Sequence, residues 1–225
     1  MAAAERAAGP RPEWEPSPEQ GWVAPHVAAE FPGLGLVWIE VDTRQEKSPE
    51  PVRLRLRALS DRFFGAQAIH MRERPIPWAY RVFFRQIGLD PDRTLTPVEQ
   101  LALDRLHDGA FKSRGLPADA LTIAIVETGV ALFAFDAEQQ LGGLCIRDSA
   151  PGESLAGRPG ELPQGTLVIA DERTPICLLF GATADGREVD RDTRRMAIAA
   201  VQVNGVPQMA VDEALWMAAA ALESI

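Results

Sequence analysis

The three histidines, the side chains most able to exchange a proton or hold a metal near neutral pH, stand far apart at positions 26, 70 and 107. None has a Cys, Asp or Glu partner at a recognised ligand interval, so the spacing predicts neither a structural metal nor a resident cofactor. No glycine-rich segment carries the Lys-Ser or Lys-Thr of a phosphate-cradling loop, none reads as a dinucleotide fingerprint, and no Gly-x-Ser-x-Gly elbow is present. Nucleotide use and serine hydrolysis lose support. Cys145 and Cys177, the only cysteines, each sit inside an apolar strand-like segment, which predicts small buried thiols and not a disulfide.

Charge is the next chemical signal, and it is uneven. The chain carries a formal charge of -9, which argues against a broad basic surface for nucleic acid. Residues 51 to 95 nevertheless hold nine arginines against four acids, a local +5 that leaves -14 for the remainder. Within that zone Trp78, Arg81 and Arg85 fall at helical spacing, off the apolar stripe, and could offer a stacking surface and cations to an unpaired RNA end. The bland alternative is a tryptophan half buried beneath arginine stems.

The elements that must position these residues follow from periodicity and punctuation. Residues 1–20, rich in Ala, Pro and Glu, read as a disordered tail and not as an export signal, which points to the cytoplasm. Glu127 interrupts the strongest apolar run, between Ala120 and Phe135, so no membrane helix is expected. Gly35 to Val41 predicts an early strand. A helix from Pro77 to Ile87 buries Ile76, Tyr80, Phe83 and Ile87 and stops at Gly88. Thr96-Pro-Val-Glu99 is a capping box that opens a helix to about Asp108. Another helix starts near Pro117 and ends at Gly129. Five short strands follow, at 131–135, 144–147, 167–170, 176–180 and 196–203, and a helix from Gln208 to Leu222 closes the chain. At 225 residues and 46% hydrophobic, this is one α+β domain over residues 21–225, with a sandwich-like β core flanked by helices.

One ordered pattern remains: Asp119-Ala-Leu-Thr122, Glu127-Thr-Gly129, Ala131-Leu-Phe-Ala-Phe-Asp136, Gly143-Leu-Cys-Ile-Arg147, Gly152-Glu153, Leu167-Val-Ile-Ala-Asp171 and Asp192-Thr193. Over residues 77–203 it resembles the B3/B4 editing domain of the phenylalanyl-tRNA synthetase beta chain. The resemblance implies an α+β fold, tRNA as partner through its aminoacylated 3′ end, and hydrolysis of the ester on a mischarged tRNA. A synthetic site separates near-isosteres by only about 1–3 kcal/mol per group, which is why a second, destructive pocket exists. Acting on an ester that is already activated, such a pocket needs a placed water, an oxyanion donor and a cavity matched to the side chain.

Departures from the family pattern shape the expected site. The family's site histidine aligns with Phe133, its helical threonine and asparagine with Leu121 and Thr122, and the glutamate that reads a tyrosine hydroxyl with Ala199. The expectation is therefore a more apolar pocket of Leu121, Phe133, Phe135 and Ala199, suited to aliphatic or thioether side chains, with Phe133 and Phe135 set on opposite faces of their strand so that one belongs to the core. Thr122 would place ester or water, and the backbone at Phe180-Gly181 would supply donors. Trans-editing deacylation is the reading; the alternatives are a non-catalytic module for tRNA, a free amino acid or a protein, and a hydrolase for another small acyl ester.

Overall fold

A computed structural model describes residues 17–44 and 46–223. Among the described residues seven strands and seven helices follow in the order β1 (Glu19–Val23), α1 (Pro25–Glu30), β2 (Gly35–Asp42), α2 (Glu50–Arg62), α3 (Ala66–His70), α4 (Pro75–Gln86), α5 (Pro97–Asp108), α6 (Leu116–Thr128), β3 (Leu132–Asp136), β4 (Cys145–Asp148), β5 (Leu167–Ala170), β6 (Pro175–Leu178), β7 (Arg195–Gln202) and α7 (Gln208–Leu222). The expected α+β architecture is present. The expected tail is not entirely tail: residues 1–16 lie outside the described residues, but Glu19 and Gln20 belong to β1, which pairs with both β2 and β4.

All seven strands join one mixed sheet in the order β3-β7-β2-β1-β4-β5-β6, in which only β1 and β4 run parallel. The sheet curls until its two edges meet. Phe133 on edge strand β3 packs its ring 5.7 Å from that of Phe180, just past edge strand β6, and Asp136 N–H donates to Arg187 O at 3.0 Å. The sandwich-like core is thus a nearly closed sheet, which leaves little free strand edge for pairing with other chains.

Helices cover it, and their ends are set by local chemistry. In α5, Thr96 and Glu99 form the capping box read from the sequence, and Gly109 ends the helix in the left-handed region at φ +78°. Helix α6 shows no single apolar stripe: Leu116, Ala120, Ile123, Ala124, Ile125 and Val126 are all buried, because the helix packs against α2, α5 and α7 together. Gly129 closes α6 at φ +79°, and a Cβ there would stand 2.9 Å from Pro77 Cδ, so glycine also lets α4 start this close.

Tyr80 fixes α4 against the sheet. Its hydroxyl donates to Val201 O at 2.6 Å and accepts from Ala131 N–H at 3.1 Å, joining the helix to β7 and to the entry of β3. Burial pushes its phenol well above the ordinary value, so it stays a neutral donor. Both thiols are buried and free, and burial holds Cys177 up at about 12, which keeps it unreactive. No described helix is long and apolar enough to cross a membrane.

Candidate functional site

A cleft of about 890 Å³ opens where the C-termini of α1 and α4 meet the loop after β6. Helix α4 ends in a Schellman turn: Leu89 N–H donates to Phe84 O at 2.8 Å and Gly88 N–H to Arg85 O at 3.2 Å, with Gly88 at φ +79°. That turn brings Ile87 and Leu89 to the cleft, where Phe31, Leu167 and Leu179 add apolar wall. Its polar lining includes Glu30, Asp148, Arg158 and Thr166. An apolar wall with a few polar groups of both charges suits a small amphiphile with a hydrophobic side chain.

Phe180 belongs to this wall and is the only described non-glycine residue at positive φ, +60°. The hairpin Leu178–Ala182 imposes that conformation through Leu178 N–H to Ala182 O at 2.9 Å and Gly181 N–H to Leu178 O at 2.9 Å. Left-handed backbone costs a non-glycine residue about 1–2 kcal/mol. The ring offsets this by packing on Phe84 at 4.8 Å, Phe133 at 5.7 Å, Tyr80 at 5.9 Å and Phe83 at 6.0 Å, each such pair contributing about 0.5–1.5 kcal/mol. Packing wins, so the strained turn is held in place. Of the two donors expected here, Gly181 N–H is therefore engaged within the turn, while Phe180 N–H has no partner among the described residues.

The other expected site residues are not brought to this cleft. Thr122 is buried, its hydroxyl donates to Ala118 O at 2.8 Å one turn back, and it borders a hollow of only about 50 Å³ with Arg105, Phe111 and Arg114. Phe133 and Ala199 face each other in the β3–β7 register, but neither lines the cleft or that hollow, and Ala199 has no exposed surface. Phe135, 1% exposed, pairs with Ala197. Residues two apart in a strand share a face, so Phe133 and Phe135 lie on the same side of β3 and differ in depth, which corrects the expectation of opposite faces. Leu121 is half-buried against the core. Thr122 thus borders one hollow, while the Phe133 ring packs on Phe180 at 5.7 Å beside another, and the described cavities do not bring Thr122, Phe133 and Ala199 together.

Along α4 the arginines divide. Arg81 is buried, donating to Glu99 at 2.5 Å, to Asp92 at 2.5 Å and to Pro91 O at 3.2 Å, while Glu99 also accepts from Thr96 O–H at 2.7 Å. Arg81 is a clamp between α4 and α5, with its guanidinium withdrawn from any RNA. Trp78, in contrast, is 49% exposed, with the guanidinium carbon of exposed Arg85 5.7 Å from its ring centre. Farther off, Arg147 forks onto Glu153 at 2.6 and 2.7 Å, and Asp119 accepts from Ser48 and Ser113 hydroxyls at 2.5 Å each. Asp171 accepts from three backbone N–H groups and pairs with Arg187 at 3.0 Å. Asp119 ties two loops to α6, and Glu153 and Asp171 tie loops to strand ends. No group of three or more His, Cys, Asp or Glu suited to a metal ion occurs among the described residues.

Glu30, Asp148, Arg158 and Thr166 carried no signal in the sequence, because a cleft between a helix end and two loops leaves no periodic trace. The hint that existed was the Gly88 stop, which delivers the end of α4 to the cleft.

The arrangement defines a class: an α+β domain with a nearly closed mixed sheet, a cleft at its helix ends and an aromatic turn in the cleft wall. No family model matches the chain. It is 28% identical over 145 residues to the phenylalanine–tRNA ligase beta subunit of Tropheryma whipplei (strain Twist), covering 63% of this chain and 14% of that subunit. It is 31% identical over 109 residues to that subunit of Thiobacillus denitrificans (strain ATCC 25259 / T1), covering 47% and 14%, and 31% identical over 100 residues to that of Yersinia pestis, covering 42% and 12%. The chain is a homologue of a part of the phenylalanine–tRNA ligase beta subunit. The matches span about one-seventh of those relatives' length.

Proposed function

We propose that this chain handles the 3′ end of tRNA, receives the terminal aminoacylated nucleotide in the cleft beside Phe180, and hydrolyses the ester of mischarged tRNA in the cytoplasm. The observation that carries this reading is the 890 Å³ cleft in a homologue of a tRNA ligase subunit, with a turn in its wall whose Phe180 N–H has no partner among the described residues. Water is the nucleophile. In this reading Phe180 N–H donates to the oxyanion that develops as water adds to the ester carbonyl, a place where one donor can be worth about 10²–10³ in rate. The wall of Phe31, Ile87, Leu89 and Leu179 takes an aliphatic or thioether side chain, and Glu30 or Asp148 faces the α-ammonium. Trp78 and Arg85 contact the unpaired nucleotides behind it. Thr122 has no part, since its hydroxyl is turned to Ala118 O.

A second reading is a non-catalytic tRNA-binding module, and the Phe133 ring packed on Phe180 at the position of the family's site histidine favours it. One assay separates the two: hydrolysis of a panel of aminoacyl-tRNAs by the purified chain. Release of amino acid from tRNAs carrying aliphatic or thioether residues supports deacylation. Binding without turnover on every member leaves the module, and a preference for tyrosine overturns the apolar specificity.

A further inference from the structure

Helix α4 carries a continuous outer row. Arg74, Trp78, Val82 and Gln86 recur every four residues, which places them one above another, and all four are exposed. The two ends of the row open on different hollows. Gln86 lines the cleft that contains Phe180. Arg74 lines two adjoining hollows, of about 460 and 330 Å³, which share Met71 as well. In the smaller of these, Arg62 and Arg74 lie over the Phe63 ring at 4.9 and 5.3 Å, beside Gln67 and His70.

The chemistry of the row selects among occupants. Guanidinium planes and an exposed indole stack on bases without regard to sequence, and cations beside them meet phosphates. Arg72, Arg74 and Arg85 stand here within the zone of net +5, on a chain of net -9, so a polyanion is drawn to this strip and repelled elsewhere. An apolar peptide would find cation, aromatic, aliphatic and amide in turn, with no unbroken apolar face.

The geometry points to a track for an unpaired RNA strand along α4, with its 3′ terminus in the cleft and an upstream nucleotide in the hollow over Phe63. The track rests on the tRNA-end reading above and extends it to a second nucleotide site. From Arg74 to Gln86 the helix rises about 18 Å, and a stacked strand advances about 3.4 Å per nucleotide, so the track holds about five nucleotides.

The test is fluorescence anisotropy of the full chain with labelled RNA duplexes bearing unpaired 3′ tails of increasing length. Affinity is expected to rise with tail length and to level off at about five nucleotides. Arg74→Ala should weaken long tails about tenfold and leave short tails unchanged, whereas Trp78→Ala should weaken both. Both residues are exposed, and an unchanged far-ultraviolet circular dichroism spectrum and thermal midpoint confirm that the variants fold. Equal affinity for blunt and tailed duplexes, a preference for 5′ tails, or an Arg74→Ala loss that is the same at every length would overturn the track. Binding that needs an intact 3′ end but ignores tail length sinks the track alone, and failure to bind any RNA sinks the tRNA reading with it.

Discussion

Phe180 holds two opposing tendencies in one residue, a backbone that favours glycine and a ring that favours an aromatic nest. Phe180→Gly relieves the φ of +60° but removes contacts with four rings, so a net loss of about 2 kcal/mol is expected in urea unfolding. Tyr80→Phe deletes the group that both donates to Val201 O and accepts from Ala131 N–H, and leaving those buried groups unpaired should cost about 1–3 kcal/mol by the same measurement. Thr122→Val is expected to leave RNA affinity and ester turnover unchanged, because its hydroxyl only returns to Ala118 O. At this scale the sequence was least legible. A matched motif put Thr122, Phe133 and Ala199 in register with a site, but where a hydroxyl points depends on its own turn, and here Thr122 turns to Ala118 O while the Phe133 ring packs on Phe180. Phe180 and Gly181 stood at the end of an expected strand, 176–180, but the strand stops at Leu178, and only the hairpin geometry decides that Gly181 N–H is engaged while Phe180 N–H has no partner among the described residues.

Helix α4 separates stability from recognition by position alone. Arg81→Met leaves Glu99 buried without its cation, a situation that typically costs about 3–5 kcal/mol, while RNA affinity per folded molecule should hold. Trp78→Ala should do the reverse, shifting stability by less than about 0.5 kcal/mol and weakening RNA binding. Denaturation and anisotropy on the two variants give the crossed result if the assignment of the helix faces is right. Helix ends were legible wherever a local code writes them: the Thr96–Glu99 box, the Gly88 and Gly129 stops, and the span of α7 from Gln208 to Leu222. Strand β1 and helix α1 were not, since EQGWV is short and exposed on most positions, and it becomes a strand only because β2 and β4 pair with it. Helical spacing also grouped Arg81 with Trp78 and Arg85; partners past the end of the helix, Pro91 and Asp92 in the next loop and Glu99 on α5, hold it buried.

For the whole molecule, the curled sheet and its loop ties set the response to pH. Burial alone would raise the Asp171 carboxyl, but N–H donors from Thr174 and Arg173, the Arg187 charge and Leu141 N–H bring it below the ordinary 3.8. The forked bonds from Arg147 likewise hold Glu153 below 4.5. A carboxyl with a lowered folded-state value contributes stability above its unfolded value and loses it as pH falls through the folded one, so Tm should stay level near neutrality and drop below about pH 4. Asp171→Asn should be less stable at neutral pH, with the difference from the native chain shrinking on the acid limb of a thermal-melt series. The sheet that imposes this behaviour also brings β3 beside the turn after β6, and so places Phe180 at the wall of the cleft. The claim that this cleft receives the end of tRNA is tested most directly by comparing the affinity of the chain for tRNA with an intact 3′ end and for the same tRNA lacking its terminal adenosine. Binding about tenfold tighter to the intact molecule is the predicted result, and equal affinity for the two would contradict it.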